Sequence, residues 1–302
     1  MDMNAAYIVP GGRPPPGGAG NDRAMGAILV DAGRLTPEDA EIILRNQRDE
    51  GLRFGDAALR LGLLSEEDIQ FALSRQFDYP YLAPGDLSVS KELVAAFSPF
   101  TPLVEQLRAL RSQLMLRWFD GEPGSSSARR ILPILSPGHG EGRSFIAANL
   151  AVVFSQLGER TLLIDADLRS PHQADIFHLE NRVGLSSILA GRAGLADAVV
   201  RIGALVDLSV LPSGPIPPNP QELLSRPQFN SLLNDVACNF DVILLDTPAA
   251  ALYADASALA GRAGGAVLVA RKGMTLAADL AGLGRSLQQA GIAVVGTVLN
   301  DD

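Results

Sequence analysis

Short apolar segments alternate with helical patterns over the C-terminal two thirds of the chain. The apolar runs are bounded by polar residues, glycines or prolines, and the intervals between them carry apolar residues at helical spacing. This alternation predicts a parallel sheet covered by helices. The predicted strands are 131–135, 161–164, 208–211, 241–245, 266–269 and 293–299, and the predicted helices include 102–118, 144–157, 221–237 and 276–290.

The segment before this alternation contains an internal repeat with an offset of 29 residues. Each copy predicts a short helix, a glycine at its C-terminal end, a Thr or Ser cap and a second helix with an acidic first turn. Because so many residues match at a single offset, the segment is interpreted as a duplication. The matched pairs are Gly26 with Gly55, Gly33 with Gly62, Leu35 with Leu64, Thr36 with Ser65, Glu38 with Glu67, Asp39 with Asp68, Leu44 with Leu73 and Gln47 with Gln76.

These patterns predict four parts. Residues 1–22 are rich in proline and glycine and predict a disordered leader. Residues 23–82 hold the repeat and predict a small all-α domain, and residues 83–101, interrupted by prolines, predict a linker. Residues 102–302 predict an α/β domain with a doubly wound, mainly parallel sheet that binds its ligand at the carboxyl ends of the strands.

The loop after the first predicted strand has the composition of a phosphate-binding loop. Its sequence is SPGHGEGRS, residues 136–144. Its glycines let backbone amides approach a phosphate, the following helix N-terminus favours an anion, and Ser144 can offer its hydroxyl to Mg²⁺. Pro137 stands where the usual P-loop has its first glycine, and Arg143 stands where it has its lysine. Since arginine keeps the charge on a larger planar head, nucleotide binding is expected to survive better than catalytic positioning.

Aspartates follow two other predicted strands. Asp165 and Asp167 lie at the end of TLLIDADLRSP, and Asp246 lies at the end of DVILLDTP. A single Asp at such a position is usually a turn residue, but three of them together with the glycine-rich loop predict one Mg²⁺-nucleotide site and a fold of the P-loop NTPase type. The predicted nucleotide-binding residues are Gly138, Gly140, Glu141, Gly142, Arg143, Ser144 and Asp246.

The charge, the cysteine content and the lengths of the apolar runs exclude several classes of function. The 302-residue chain has a net charge of −9, so it lacks the broad basic surface that nucleic acids require, and no nucleic-acid partner is expected. Its one cysteine, Cys238, cannot form an internal disulfide, which favours the reducing cytoplasm. No apolar run approaches the roughly 20 residues of a membrane span, so any role at a membrane is expected to depend on a partner.

The segments SPGHGEGRS, LLIDADLRSP, GLSSILAG, LPSGPIPPNPQELL and DVILLDTP together are similar to bacterial protein-tyrosine kinases of polysaccharide export, over residues 102–302. The nearest group is the chain-length-determinant kinases of exopolysaccharide clusters. The resemblance implies ATP and Mg²⁺ as cofactors, with Ser144, Asp165 and Asp246 as the metal ligands. It implies phosphoryl transfer to tyrosine, with Arg143, Asp165 and Asp167 as catalytic residues. It also implies a membrane-spanning polysaccharide co-polymerase as partner, which would recruit the cytoplasmic chain to the inner face of the membrane.

Two further features bear on that resemblance. Glu105, Arg108 and Arg111 match the family's Glu-x-x-Arg-x-x-Arg helix, which packs neighbouring subunits into a ring, although the same spacing is ordinary on a solvated helix. The chain ends in VVGTVLNDD instead of the family's C-terminal tyrosine cluster. The alternatives to a kinase are therefore a non-catalytic, nucleotide-gated scaffold and a partitioning-type ATPase. Gly138 argues against the latter, which has a lysine at that position.

The duplicated segment resembles the N-terminal domain of type II secretion and type IV pilus assembly ATPases, some of which bind cyclic di-GMP through two such motifs. The resemblance implies an arginine two residues before the first glycine of each motif. Arg53 supplies it in the second copy, but Ala24 occupies the position in the first. A docking or spacer module without a nucleotide is therefore the favoured interpretation, and cyclic di-GMP binding remains the alternative.

Overall fold

The computed structural model describes residues 25–76, 81–83, 85–120 and 130–301, which fall into two units separated near residue 84. The predicted leader, residues 1–22, lies outside the described residues. Within the described ranges, no helix is long and apolar enough to cross a membrane.

In its described residues, 25–76 and 81–83, the first unit, called here the helical unit, contains four helices arranged as two similar pairs. Thr36 and Ser65 occupy equivalent positions, and each side-chain oxygen accepts a hydrogen bond from the backbone amide three residues later, at 3.1 Å and 3.2 Å. These caps satisfy amides that a helix start leaves without partners. The helices are α1 (Met25–Asp31), α2 (Pro37–Glu50), α3 (Phe54–Arg60) and α4 (Glu66–Gln76).

The core of the helical unit follows the 29-residue offset of the sequence. Every buried hydrophobic residue of its core cluster has its partner in the other copy, so the two copies contribute equivalent positions to a single core. Arg34 links the copies from outside, since its guanidinium donates to the Asp68 carboxylate at 2.8 Å and stacks on the Phe71 ring. The core pairs are Ile28 with Ala57, Leu29 with Ala58, Leu35 with Leu64 and Ile43 with Ala72.

The second unit, called here the α/β unit, begins before the position predicted from the sequence. Within the predicted linker, residues 83–101, the side chains of Leu93, Ala95 and Ala96 are buried. The Ala95 amide donates to the Asn149 side-chain oxygen at 3.0 Å, and the Ser90 amide donates to the Ile176 carbonyl at 2.8 Å. This stretch therefore packs on the α/β unit, because a side chain and a backbone carbonyl of later helices accept hydrogen bonds from its amides.

Strands and helices alternate through the rest of the α/β unit. The first long helix, 102–114, continues into a π-helical segment at Met115–Phe119, where Trp118 donates to the Ile131 carbonyl at 3.1 Å. In chain order the elements are α5 (Val94–Phe97), α6 (Pro102–Leu114), β1 (Ile131–Leu135), α7 (Arg143–Gln156), β2 (Thr161–Asp165), α8 (Gln173–Ile176), α9 (Leu185–Leu189), α10 (Leu195–Ala198), β3 (Val200–Arg201), β4 (Leu208–Leu211), α11 (Pro220–Ser225), α12 (Pro227–Asn239), β5 (Val242–Asp246), α13 (Asp255–Ala263), β6 (Gly265–Arg271), α14 (Ala277–Gln289) and β7 (Ala293–Asn300).

The strands form one seven-stranded sheet in the order β3-β4-β2-β5-β1-β6-β7. All neighbours are parallel except β3, which pairs antiparallel with β4 at one edge. The six predicted strands match the observed ones to within one or two residues at each end. The predicted doubly wound, mainly parallel α/β fold is confirmed, and β3 was missed because it has only two residues, both exposed.

One predicted helix is two helices. The interval 221–237 contains Pro227, which has no backbone N–H and disfavours a helical conformation in the residue before it. Arg226 accordingly adopts an extended conformation, with φ −67° and ψ 150°, between α11 and α12. The prediction of one continuous helix was therefore wrong at this proline.

Candidate nucleotide site

The carboxyl ends of three adjacent strands meet at the predicted site. In the sheet order, β5 lies between β2 and β1, and β1 leads directly into the glycine-rich loop. Asp165 on β2 and Asp246 on β5 are register partners, so the two carboxylates start from neighbouring backbone positions. The topology therefore brings together the loop and both aspartate motifs, as predicted for this edge of a parallel sheet.

The loop itself turns sharply before α7. Gly142 is the N-cap of α7 at φ 89°, a conformation that residues with a side chain rarely adopt, and a Cβ atom there would also overlap Asn300. The helix that follows starts at Arg143 and is buried along most of its length. The loop thus presents a helix N-terminus at the carboxyl ends of the strands, an arrangement suited to a phosphate group.

Arg143 connects the loop to both aspartate motifs. Its side chain is 7% exposed, and its Nη1 lies 2.5 Å from the Ser136 hydroxyl oxygen. Its Nη2 lies 3.5 Å from an Asp167 carboxylate oxygen, and its Nε lies 3.7 Å from Oδ1 of Asp246. A lysine ammonium could not reach all these groups at once, because only the guanidinium spreads its donors over a planar fork.

Asp165 shapes the loop that follows β2. Its Oδ2 accepts hydrogen bonds from the amides of His172 and Gln173 at 3.1 Å and 3.0 Å, and its Oδ1 accepts one from the Asp167 amide at 3.3 Å. Burial, together with the nearby Asp246 charge, raises the pKa of Asp165 well above the ordinary carboxyl value, although the amide donors oppose the rise. The surroundings of Asp165 therefore favour its protonated form over its charged form, relative to a carboxyl group in water.

Asp246 is fully buried, and burial raises its pKa while the Arg143 charge opposes the rise. Its Oδ2 accepts a hydrogen bond from Nε2 of Gln173 at 2.8 Å. The same Gln173 nitrogen donates to the Ser144 carbonyl at 3.1 Å, so one buried amide ties the second strand motif to the start of α7. Gln173 was not among the site residues predicted from the sequence. It lies in a polar stretch at a helix start, where no motif distinguishes a buried amide from a solvated one.

The residues present fit a magnesium ion. Oδ1 of Asp246 is buried and has no hydrogen-bond partner among the described residues. Asp165, Asp246 and Ser144 offer only oxygen atoms, which are the ligands that Mg²⁺ prefers. No group of three or more His, Cys, Asp or Glu side chains arranged for a metal occurs in the described part of the chain. Two carboxylates and a hydroxyl suit Mg²⁺, because it keeps waters and nucleotide phosphates as its remaining ligands.

Glu141, predicted among the nucleotide-binding residues, points its carboxylate into the protein. That carboxylate accepts hydrogen bonds from the Gly138 amide at 2.7 Å and from the Thr275 hydroxyl at 2.5 Å. The loop has a second contact with this region of the chain, since the guanidinium of Arg271, the last residue of β6, donates to the Gly140 carbonyl at 3.0 Å. The loop is therefore braced by the segment after β6, and the carboxylate of Glu141 supports the loop's shape rather than facing a phosphate.

The three residues predicted to join subunits lie on α6. Glu105 and Arg108 form an ion pair at 3.1 Å, in which Glu105 is 73% exposed and Arg108 is 18% exposed. Arg111 turns inward, since its Nη1 donates to the Val153 carbonyl on α7 at 2.7 Å. The two arginines are thus partly engaged within their own unit, and Glu105 is the residue that a neighbouring subunit would reach most easily.

The chain is similar to the tyrosine-protein kinase YwqD of Bacillus subtilis, with 37% identity over 212 residues that cover 70% of this chain and 86% of that protein. The chain belongs to the bacterial tyrosine-protein kinases. The tyrosine-protein kinase etk of Escherichia coli strain K12 is 33% identical over 207 residues, which cover 68% of this chain. They cover only 28% of etk, so most of that relative has no counterpart here. The chain matches no protein-family model.

Solved structures of the kinase family share the fold. The kinase domain of the Escherichia coli tyrosine kinase ETK superposes with a TM-score of 0.64 at 33% identity, covering 69% of this chain and 79% of that one. The septum site-determining protein MinD of Pyrococcus horikoshii, solved with Mg-ADP, superposes with a TM-score of 0.50 at 26% identity, over 56% and 69% of the two chains. The predicted P-loop NTPase fold and kinase family are confirmed.

Proposed function

We propose that the protein is an ATP-dependent protein-tyrosine kinase that regulates the chain length and export of an exopolysaccharide. The observation that carries this proposal is the convergence of two aspartate motifs on Arg143, whose guanidinium nitrogens lie 3.5 Å from an Asp167 carboxylate oxygen and 3.7 Å from one of Asp246. A phosphoryl-transfer site needs a cation on the phosphates, oxygen ligands for Mg²⁺ and a carboxylate near the attacking hydroxyl. These groups supply all three, and the relatives named above are tyrosine kinases.

The chemistry assigns a separate task to each side chain. Arg143 balances the charge of the β- and γ-phosphates, while Ser144, Asp165 and Asp246 would hold Mg²⁺, which neutralises charge on the phosphate oxygens. Asp167 is the better candidate for receiving the tyrosine proton. Within the described residues, its Oδ1 accepts hydrogen bonds from the amides of Arg169 and Ser170, whereas its Oδ2 contacts the Arg143 side chain and no backbone donor. Both oxygens of Asp165 are engaged by backbone amides.

The test is phosphoryl transfer from labelled ATP to a synthetic Glu–Tyr copolymer in the presence of Mg²⁺. Arg143→Met is expected to lower the rate on the order of 100-fold, because it removes a preorganised cation from the transferring phosphoryl group. Arg285→Met, at an exposed position on α14, is the matched control and should keep the wild-type rate. Equal rates in the two variants would show that the assigned site does not perform the transfer.

The same assay separates the two alternative functions. A nucleotide-gated scaffold would bind Mg-ATP without phosphorylating the copolymer, and a partitioning-type ATPase would release phosphate without forming phosphotyrosine. Gly138 disfavours the second alternative, since the lysine used by that group is absent and the Gly138 amide is already bound by Glu141. The kinase proposal predicts phosphotyrosine formation in excess of phosphate release.

The proposal includes a membrane-spanning polysaccharide co-polymerase as partner, which recruits the chain to the inner face of the cell membrane.

The proposal also includes self-association of the chain through α6. Glu105→Lys is expected to dissociate the assembly without unfolding the chain, because it reverses a charge that is mostly in solvent. Gln113→Lys is the control, because it also introduces a lysine at an exposed position on α6 but removes no carboxylate. Light scattering with nucleotide present measures the mass, and a monomeric wild type would contradict the proposed interface.

The helical unit is proposed to act as a docking module, and we expect no tight binding of cyclic di-GMP. Arg53 is exposed at the start of α3, but a cavity of about 690 Å³ at α1 is lined mainly by apolar side chains such as Val30 and Phe54. Such a cavity offers few donors for a phosphodiester. Calorimetric titration of the full chain tests this, and saturable micromolar binding that is lost in Arg53→Ala would establish the nucleotide instead.

A further inference from the structure

A tyrosine lies beside the candidate site, on the loop between β5 and α13. Tyr253 is the only tyrosine in residues 102–302, since the other three are Tyr7, Tyr79 and Tyr81. Its ring lies under the guanidinium of Arg169, whose central carbon is 3.9 Å from the ring centroid. Because Arg169 comes two residues after Asp167, this contact ties Tyr253 to the segment that carries the proposed proton acceptor.

Arg169 is itself held firmly. Its Nε donates to the buried carboxylate of Asp255 at 2.7 Å, and its backbone amide donates to Asp167 at 3.1 Å. The guanidinium is therefore fixed in position by Asp255 while its face covers the tyrosine ring. A phosphate on Tyr253 would lie next to a cation that the fold already supplies, and such a pairing stabilises a phosphorylated side chain.

Tyr253 is half-buried, and its neighbours Ala251, Leu252 and Ala254 are exposed. The segment reads AAALYADA, residues 249–256, so the residues around the tyrosine are alanines except for Leu252, which is 58% exposed, and Asp255, which is buried. Small neighbours let a tyrosine enter a cleft together with its backbone. The start of the loop cannot swing into its own site, since the amides of Ala250 and Ala251 donate to the carbonyls of Ser136 and Pro137, both at 2.9 Å.

From this geometry we infer that Tyr253 is a phosphorylation site of the protein, modified by the nucleotide site of a second copy of the chain. This inference rests on the proposed kinase function. In the transfer, the bond between the γ-phosphorus and the β,γ-bridging oxygen of ATP breaks, and a bond forms between that phosphorus and the Tyr253 phenolic oxygen. The phenolic proton passes to a carboxylate of the donor copy and then to water, and ADP leaves.

The experiment incubates the full chain with labelled ATP and Mg²⁺ and maps phosphotyrosine by mass spectrometry. Tyr253→Phe keeps the ring under Arg169 and removes only the hydroxyl, so it is expected to lower self-phosphorylation at least fivefold while phosphorylation of the Glu–Tyr copolymer is unchanged. Tyr81→Phe, in the helical unit, is the matched control and should change neither reaction. Phosphotyrosine at other positions with none at residue 253 would overturn the inference.

A mixing experiment tests transfer between copies. An Arg143→Met chain, with Tyr253 intact, is incubated with catalytically competent Tyr253→Phe chain, and label is expected at Tyr253 of the Arg143→Met chain. Absence of label there overturns transfer between copies. Copolymer phosphorylation without any self-phosphorylation overturns this inference and leaves the kinase function standing, whereas failure of both reactions in the wild-type chain refutes the kinase function and the inference together.

Discussion

Asp246→Asn is expected to remove Mg²⁺-dependent nucleotide binding while leaving the fold intact. The substitution keeps the size of the side chain and an oxygen that can accept the hydrogen bond from Gln173. It removes the negative charge of a buried ligand, Oδ1 of which has no hydrogen-bond partner among the described residues. The loss of affinity for Mg-ADP is expected to be on the order of 100-fold, or about 2.7 kcal/mol.

The same substitution should not destabilise the chain when Mg²⁺ is absent. Burial raises the pKa of Asp246 and of Asp165, so the folded state binds more protons than the unfolded state above the ordinary carboxyl pKa of about 4. The free energy of unfolding therefore falls as pH rises from about 4 through the raised pKa values. Asparagine removes one of the two buried charges, so the variant should lose less stability over that range.

Calorimetry with Mg-ADP and with ADP in EDTA measures the first effect, and thermal unfolding in EDTA between pH 5 and pH 8 measures the second. Asp235→Asn changes an exposed carboxylate on α12 and should behave as the wild type in both measurements. Unchanged Mg-ADP affinity in Asp246→Asn would show that the metal site is elsewhere. A variant less stable than the wild type at pH 8 would show that Asp246 stabilises the fold in its charged form.

Gly184→Ala is expected to destabilise the α/β unit by roughly 3 kcal/mol. A Cβ atom on Gly184 would overlap backbone atoms of Pro212 and Gly214, which cannot move aside as a flexible side chain can. The two segments are fixed in contact, since the Leu185 amide donates to the Pro212 carbonyl and the Ser186 amide to the Ser213 carbonyl, both at 2.8 Å. The added methyl group must therefore break these hydrogen bonds or displace the start of α9.

Differential scanning calorimetry checks this prediction, for which a fall in Tm of roughly 6–12 °C is expected in a domain of this size. Gly203→Ala is the control, because a Cβ there meets nothing within 4 Å. An unchanged Tm for Gly184→Ala would contradict the prediction, because it would show that the segments around Gly184 and Pro212 can move apart without loss of stability. The substitution is expected to change the stability of the fold and not the nucleotide site, so the nucleotide affinity of the variant should be normal below its Tm.

The sequence predicted the parts of the molecule that depend on local pattern. Buried parallel strands such as β2 and β5 are short apolar runs, and the aspartates that end them are visible in the sequence for that reason. The convergence of Arg143 on Asp167 and Asp246 depends on the strand order, which the hydrophobic pattern does not specify. The predicted family, fold and sheet type are confirmed, whereas the assignment of individual site residues stays a prediction for the experiments above.

What the sequence did not reveal depends on side chains that meet across the fold. Gln173 and Thr275 are polar residues in loops or at helix starts, and their partners lie 73 and 134 residues away along the chain. No periodicity or motif marks such a pair, because the contact exists only after the sheet has formed. Glu141 shows the same limit, since its neighbours in sequence indicate a phosphate loop, whereas the hydroxyl of Thr275, which donates to its carboxylate, is distant in sequence.

The paired core of the helical unit bears on how that unit folds. Since each copy supplies one member of every buried pair, neither copy can cover its apolar residues alone. A cut between α2 and α3 should therefore yield two unfolded fragments that regain helicity only when mixed, and the unit should unfold in one cooperative transition. The duplication has thus produced a domain of two interdependent halves, in which a substitution in one copy weakens both.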